Sequence, residues 1–259
     1  MVGLVMLVFA LAVAMAAPLI TQYTPFELGG PPLRPPGPDH LLGTDHLGRD
    51  IFARIVYGTQ VSIGFAFGAA AISFLVGTLL GALSGYFGGV VDHVLSRVFE
   101  FFLMIPMLFL VILMSALLGA NIYVAAFVVG ITIWPSNARI VRAQVLSLKR
   151  RAFVRAARAG GAGHLRILFR HILPNGIQPV VVNSTLQVGA AILLEASLSF
   201  LGLGDPNFPS WGQMLREAQP YLSIAWTYAV FPGLAIGWLV VAVTLVGDGI
   251  NTALNRTDP

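Results

Sequence analysis

The fold is decided by residues 142–175, R-A-Q-V-L-S-L-K-R-R-A-F-V-R-A-A-R-A-G-G-A-G-H-L-R-I-L-F-R-H-I-L-P-N. This is the only long polar segment between long apolar runs. With Arg139 just ahead of it, it holds nine of the fifteen Lys and Arg residues and no Asp or Glu. Alanine and leucine favour helix, but a glycine-rich break at 160–163 interrupts the pattern and Pro174 is expected to end it. The segment therefore predicts two short helices joined by a glycine break, which need a partner to rest against.

The composition of the chain predicts a membrane protein. Of its 259 residues 57% are hydrophobic and only 10% are charged, and the apolar residues form blocks of about 20, the length of a membrane-spanning helix. The net charge of +4 does not indicate nucleic acid, because the cations lie in one loop between two spans. Cysteine is absent, which excludes disulfides and thiol chemistry.

Enzyme motifs are also missing from the chain. The single lysine, Lys149, lies in Leu-Lys-Arg-Arg, so no phosphate-binding Walker A loop exists, and neither H-E-x-x-H nor G-x-S-x-G occurs. We therefore expect no catalysis by this chain and no bound cofactor or metal. If ATP drives the protein, another chain hydrolyses it.

The apolar runs predict an all-α polytopic protein with six transmembrane helices. The predicted spans are 1–20, 61–85, 98–118, 122–140, 176–203 and 225–248. A signal peptide is the alternative for 1–20. Glycines at positions 64, 68, 77 and 81 predict close helix packing of the second span. A short turn is expected over 86–97, and kinks at Pro106, Trp134-Pro135 and Pro232.

Residues 21–60 are predicted to be an external loop followed by a short amphipathic helix. Six prolines within 21–40 indicate an extended tether. The helix is expected to be capped by Thr44 or Asp45 and ended by Gly58.

The charged residues of that segment allow two interpretations. Asp50 and Arg54 are spaced i,i+4 for a surface ion pair. Asp45, His46 and Asp50 also raise the possibility of a metal site, but further ligands at plausible spacing are missing. The sequence therefore favours capping and pairing over metal binding.

The fifth span is the most polar. Asn183, Gln187 and Glu195 are separated by multiples of four and are expected to share one broad helix face. An intramembrane carboxylate indicates function by default, so these three residues are candidates for a translocation path. A structural carboxylate bonded to a neighbouring helix is the alternative for Glu195.

A short amphipathic helix is predicted after the fifth span, between Pro209 and Pro220. Trp211 and Tyr221 suit the aromatic belt found at a membrane interface.

The distribution of charge predicts the orientation. Six spans place both termini on one side, which carries the basic loop, Arg97 and Arg256. The opposite side carries few cations and several acids: Arg34, Arg49, Arg54, Arg216, Glu27, Asp39, Asp45, Asp50, Asp205 and Glu217. The positive-inside rule therefore makes the basic loop and both termini cytoplasmic.

The basic loop resembles the cytoplasmic loop of permease subunits of bacterial ATP-driven (ABC) importers. Their signature reads E-A-A, three residues, Gly, nine residues, I-x-L-P. Here Arg155-Ala156-Ala157 is followed by Gly161 and then by His171-Ile172-Leu173-Pro174. The match departs at two positions, where Arg155 replaces Glu and His171 replaces Ile.

Other segments resemble the dipeptide, oligopeptide and nickel branch of these permeases. They are Gly43-Thr44-Asp45, Gly48-Arg49-Asp50, Leu-Ser-Phe-Leu-Gly-Leu-Gly at 198–204, Pro-Ser-Trp-Gly at 209–212, and Gly247-Asp248-Gly249. The resemblance implies a type I ABC importer permease fold within 61–259, in the bacterial inner membrane. It also implies a peptide as the cargo, with nickel or another small solute as the alternative; a secondary transporter or channel is a further alternative.

The resemblance further implies partners and a coupling site. The partners would be a related second permease forming a heterodimer, two cytoplasmic ATPase subunits that bind ATP and Mg, and an external solute-binding protein. Loop 142–175 would then be the coupling loop that contacts the ATPase. Its coupling residues would be Arg155, Ala156, Ala157, Gly160, Gly161, His171, Leu173 and Pro174.

Overall fold

The computed structural model describes residues 1–255, and its regular secondary structure is helical, with no β-strand in that range. The α-helices are α1 (Val2–Met15), α2 (Ala17–Ile20), α3 (Ile51–Phe87), α4 (Gly89–Met104), α5 (Met107–Leu118), α6 (Ile122–Leu148), α7 (Ala152–Ala159), α8 (His164–Arg166), α9 (Leu173–Gly176), α10 (Gln178–Phe200), α11 (Trp211–Ala218) and α12 (Thr227–Asn255). A π-helical turn occupies Ile167–Ile172 and a 3₁₀ turn Gln219–Tyr221. Arg256, which entered the charge count, lies outside the described residues.

The membrane-spanning helices within residues 1–255 number four or five. Helices α3, α6, α10 and α12 are each long and apolar enough to cross a bilayer, and α4 with α5 forms a fifth candidate that is bent by 79°. Helix α1 is apolar but has only 14 residues, about 21 Å of helix against a hydrocarbon core of about 30 Å. The six-span count therefore stays a prediction.

Helix α3 begins earlier than the predicted second span and absorbs the predicted amphipathic helix. It runs for 37 residues from Ile51, and its N-cap is Asp50, whose carboxylate accepts the Ala53 N–H at 2.7 Å. Neither Thr44 nor Asp45 caps it. Gly58 does not end the helix, because its role is close packing: a Cβ atom there would lie 2.7 Å from the Trp211 indole nitrogen.

Small residues bring α3 and α6 into backbone contact. A Cβ atom at Gly77 would lie 2.6 Å from that of Asn137, and one at Gly81 would overlap the Ala138 carbonyl oxygen. Close packing of the second span was therefore predicted correctly at these two glycines. It was wrong at Gly64 and Gly68, where a Cβ atom would meet no atom of the described residues within 4 Å.

The predicted third span is broken rather than kinked. Helix α3 continues to Phe87, and Gly88, with φ of 69°, turns the chain directly into α4, so the predicted turn over 86–97 is wrong. At Pro106 the helix stops and restarts as α5 at an angle of 79°. Proline causes this break because it lacks the N–H that would continue the ladder.

Candidate functional site

The basic loop contains the predicted glycine break. Helix α7 ends at Ala159, and Gly161 takes the left-handed conformation with φ of 80°, whereas Gly160 has φ of −77°. The N–H of Gly161 donates to the Arg158 carbonyl and that of Ala162 to the Ala157 carbonyl, at 3.0 and 3.1 Å. These bonds satisfy carbonyls that a helix end leaves unpaired. Gly161 is therefore the residue that the turn requires.

The second half of the loop differs from the prediction, because Pro174 does not end the helical run. The π-helical turn Ile167–Ile172 leads without a break into α9, and Pro174 lies in the first turn of α9. Leu173 is buried, His171 is half-buried and Pro174 itself is exposed. The chain then passes through Ile177 into α10.

Apolar side chains attach the loop to the spans. Val154 of α7 is fully buried and packs in one cluster with Leu168, Tyr86 of α3 and Val145 of α6. Two polar contacts reinforce this attachment: the Lys149 ammonium donates to the Gly85 carbonyl at 2.8 Å, and the Tyr86 hydroxyl lies 3.0 Å from His164 Nδ1. Val154 thus places α7 in the same apolar cluster as α3 and α6.

The outer surface of the loop combines cations with exposed apolar side chains. Arg155 and Ala156 are exposed and Ala157 is half-buried. Three large apolar side chains of the loop are also exposed: Phe153, Leu165 and Phe169. Exposed apolar groups beside a cationic surface are typical of a docking site for another protein.

A cluster of amides and hydroxyls joins α3, α6 and α10, and we call it the amide cluster. The Asn137 side-chain N–H group donates to Gln187 at 3.0 Å and to Ser73 at 3.1 Å. Asn183 donates to the side-chain oxygen of Asn137 at 2.8 Å, and the Ser73 hydroxyl donates to the side-chain oxygen of Gln187 at 2.8 Å. The structure thus brings two of the three predicted path residues together, around the fully buried Asn137.

Glu195 lies in a separate cluster. Its Oε1 accepts hydrogen bonds from Ser199 at 2.8 Å and from Ser210 at 2.7 Å, and Ser62 donates to Oε2 at 3.4 Å. The side chain is only 3% exposed. Glu195 is thus bonded to α3 and to the N-cap of α11 as well as to its own helix.

Helix α11 lies between the two prolines, as predicted, but it is packed tightly against the spans. Trp211 is 2% exposed and its indole N–H donates to the Ile55 carbonyl at 3.0 Å, so the expectation that it sits at the membrane interface is wrong. A Cβ atom at Gly212 would overlap the Ala196 carbonyl of α10. Tyr221 stacks on His46, with ring centroids 5.7 Å apart.

A buried charged cluster joins the 21–50 loop, α3 and α11. Arg54 is fully buried and its Nη1 donates to Asp45 at 2.6 Å and to Glu217 at 2.8 Å. Arg49 contacts the same two carboxylates at 2.6 and 2.8 Å. The predicted surface pair of Asp50 with Arg54 is wrong, because Asp50 pairs instead with His40 at 2.8 Å.

The charged cluster contains two of the three residues that raised the possibility of a metal site, Asp45 and His46. Ligand atoms of Asp45, His46 and Glu217 lie within 4.8 Å of one another. Two guanidinium groups already neutralise these carboxylates, so the arrangement favours ion pairing over a metal. Burial raises the pKa of Glu217, but Arg54, Tyr228 and Arg49 outweigh that effect and lower it to about 2. The charged cluster thus contributes stability above the ordinary pKa of 4.5, and this is lost as pH falls towards 2.

The fold and the loop define an ABC importer permease. The structure resembles an inward-facing MetNI methionine ABC transporter with a TM-score of 0.63 and 20% identity, over 77% of this chain and 95% of the transporter chain. Residues 77–257 match the family described as the binding-protein-dependent transport system inner membrane component. The chain belongs to this family and is a multi-pass membrane protein. This membership replaces the alternative of a secondary transporter or channel.

Relatives extend the similarity over nearly the whole chain. The dipeptide transport system permease DppC of Alkalihalophilus pseudofirmus is 39% identical over 98% of this chain and 84% of its own length. The oligopeptide transport system permease OppC of Bacillus subtilis is 38% identical over 98% of this chain and 84% of its own length. The glutathione transport system permease GsiD of Pectobacterium atrosepticum is 42% identical over 85% of this chain and 73% of its own length.

Proposed function

We propose that this chain imports a di- or oligopeptide, as one permease subunit of an ATP-driven complex. The observation that carries the proposal is the similarity, over 98% of the chain, to permeases named for dipeptide and oligopeptide transport. Its partners are a related permease that completes the path, two ATPase subunits that bind ATP and Mg, and an external solute-binding protein. The chain itself catalyses no reaction and its termini are cytoplasmic.

In this proposal the basic loop is the docking site for an ATPase subunit. Its cationic, partly apolar outer surface suits a cleft on another protein, and the buried Val154 links α7 to the cluster that contains Tyr86 and Val145. Closure of the ATPases on ATP then moves α7, and the spans follow into the outward-open state. Arg155 faces outward, where it contacts either an acidic surface of the ATPase or solvent.

The test of the proposed function is import by the purified complex. We expect this chain to copurify with ATPase subunits and, with its binding protein, to drive ATP-dependent uptake of labelled Ala-Ala into liposomes. Unlabelled peptides should compete, whereas nickel ions and free methionine should not. Competition by nickel alone would reject the peptide cargo and favour the alternative.

The orientation can be tested with single cysteines, because the chain has none. Ser147 on α6 and Ser223 after α11 are both exposed, whereas Ser210 is buried against Glu195 and unsuitable. In intact cells we expect Ser223→Cys to react with a membrane-impermeant thiol reagent and Ser147→Cys to react only after permeabilisation. The reverse pattern would overturn the orientation.

The path residues give a further prediction. We expect Glu195→Gln to reduce uptake while the complex still assembles, because the charge that accepts three hydroxyl hydrogen bonds is lost. Ser210→Ala separates two explanations, since it removes one bond to the carboxylate but keeps the charge. An equal loss in Ser210→Ala assigns Glu195 to anchoring α11, and a loss confined to Glu195→Gln assigns its charge to the path. Unchanged uptake in both variants would exclude either role.

A further inference from the structure

A cavity of about 300 Å³ lies between α4 and α6 and has no part in the function described above. Its lining combines charged and apolar side chains: Ser96, Phe99, Glu100, Leu103, Arg139 and Arg142. Phe99 is 2% exposed and packs edge-on against Trp134, with ring centroids 5.3 Å apart. The cavity therefore has a rigid apolar component, with a carboxylate supplied by α4 and guanidinium groups by α6.

The charged groups of this cavity differ in whether they have a partner within the described part of the chain. Arg142 donates to both carboxylate oxygens of Asp92, at 2.5 and 2.7 Å. Arg139, by contrast, is exposed and forms no hydrogen bond or ion pair with any residue of 1–255. Glu100 pairs only with Arg97 on its own helix, and both side chains are more than half exposed. Exposed pairs of this kind contribute little, so Arg139 and Glu100 both remain able to bind a charged ligand.

The position of Arg139 in α6 places it near one end of the membrane crossing. Helix α6 has 27 residues, and a hydrocarbon crossing needs about 20. A crossing of about that length that begins at Ile122 ends close to Arg139. Exposing a cation to hydrocarbon is costly, so the Arg139 side chain faces polar surroundings. The cavity that it lines is therefore open to a polar environment.

We propose that this cavity binds the two charged ends of a peptide during import, with Arg139 taking the carboxylate and Glu100 the ammonium group. The inference rests on the proposed peptide cargo. A guanidinium group pairs with a carboxylate through two parallel hydrogen bonds, and a carboxylate accepts from an ammonium group. Phe99 and Leu103 supply apolar contacts that do not select among side chains. The volume lies at the lower end of ligand sites, which suits a short peptide.

A lipid headgroup is the competing occupant. An anionic headgroup would be repelled by Glu100, but the headgroup of phosphatidylethanolamine carries the same two charges as a peptide. The test therefore uses liposomes of phosphatidylcholine alone and, in a parallel sample, liposomes that also contain phosphatidylethanolamine.

The experiment measures protection of a cysteine placed in the cavity. Leu103→Cys is introduced into the complete importer, and alkylation of this chain by a small thiol reagent is followed by mass spectrometry in phosphatidylcholine liposomes. We expect saturating Ala-Ala to slow alkylation about fivefold and N-acetyl-Ala-Ala-amide, which lacks both charges, to have no effect. With Arg139→Gln, Ala-Ala should protect no better than Ala-Ala-amide. Arg34→Gln, which changes an exposed arginine of the 21–50 loop outside the cavity, should leave protection intact.

The outcomes separate this inference from the proposed function. The inference would be wrong if Ala-Ala is imported but does not protect position 103. It would also be wrong if N-acetyl-Ala-Ala-amide protects as well as Ala-Ala. Either result would leave the proposed function standing. Protection by phosphatidylethanolamine without peptide would assign the cavity to lipid and also overturn it. Failure to import any peptide would reject both proposals. If Leu103→Cys itself abolishes uptake, Ser96→Cys reports on the same cavity.

Discussion

Gly161→Val is expected to uncouple ATP hydrolysis from transport while membrane insertion stays normal. Gly161 has φ of 80°, and a β-branched residue in that conformation costs roughly 1–2 kcal/mol or more. That cost lowers the population of the native turn by about 5- to 30-fold, since 1.4 kcal/mol is a factor of ten. A Cβ atom at this position would meet nothing within 4 Å, so the effect comes from the backbone rather than from a collision. The measurement is substrate-stimulated ATP hydrolysis beside uptake in the reconstituted complex.

Gly163→Val is the matched control. Gly163 lies two residues further along, its φ is −69°, and a Cβ atom there also meets nothing within 4 Å. We expect near-normal coupling in this variant. Gly161→Asn should fall between the two, because asparagine tolerates the left-handed region better than valine. Normal coupling in Gly161→Val would reject the loop as the element that transmits motion to the spans.

Gly81→Ala is expected to destabilise the spans themselves, and with them the assembled complex. A methyl group there would overlap the Ala138 carbonyl oxygen and lie 2.9 Å from the Ala138 Cα atom. Both obstacles belong to the backbone of α6, so relief requires the two helices to separate. Overpacking of this kind costs typically 1–3 kcal/mol. Thermal unfolding of the purified complex and its yield from the membrane would measure the loss.

Gly64→Ala, on the same helix, is expected to increase stability rather than lower it. A methyl group at Gly64 meets nothing within 4 Å, and replacing glycine by alanine inside a helix gains roughly 0.5–1 kcal/mol where space allows. The same substitution should therefore stabilise α3 at one position and destabilise the helix pair at the other. Equal stability of the two variants would contradict the close contact between α3 and α6.

Local sequence rules predicted those parts of the fold that depend on neighbours along the chain. The glycine break at Gly161 and the short helix between Pro209 and Pro220 both follow from the backbone preferences of single residues, and both are present. Pro106 was identified as a point of distortion, but the angle of the resulting break depends on what α5 packs against. That information is absent from the local sequence.

Contacts between distant segments explain the errors. Arg54 has a suitably spaced partner in Asp50, yet it bonds to Glu217, 163 residues away. Gly58 was expected to end a helix because glycine often does so, but it instead lies inside α3 and leaves room for the Trp211 ring. Trp211 is therefore buried and does not lie at a membrane interface. Propensity rules cannot distinguish a glycine that ends a helix from one that admits a neighbour.

The candidate site was predicted in part. Asn183 and Gln187 were identified from their spacing, whereas Asn137, which bonds to both, was overlooked because it follows Trp134-Pro135 near the predicted end of a span. An amide within an apolar helix was the available signal. Arg139 was interpreted only as one of the cations of the loop, because the sequence did not show that α6 continues to Leu148.

The ion pairs around Arg54 also impose an order on biosynthesis. Arg54 reaches the membrane 163 residues before Glu217 is made, an interval of about 8–30 seconds at 5–20 residues per second. During that time Asp45 is the only one of its two carboxylate partners already synthesised. Until Glu217 is made, the 21–50 loop alone supplies a carboxylate to Arg54. Only when α11 and α12 have been made does the N-terminal end of α3 acquire its final neighbours, so the last third of the chain completes the first.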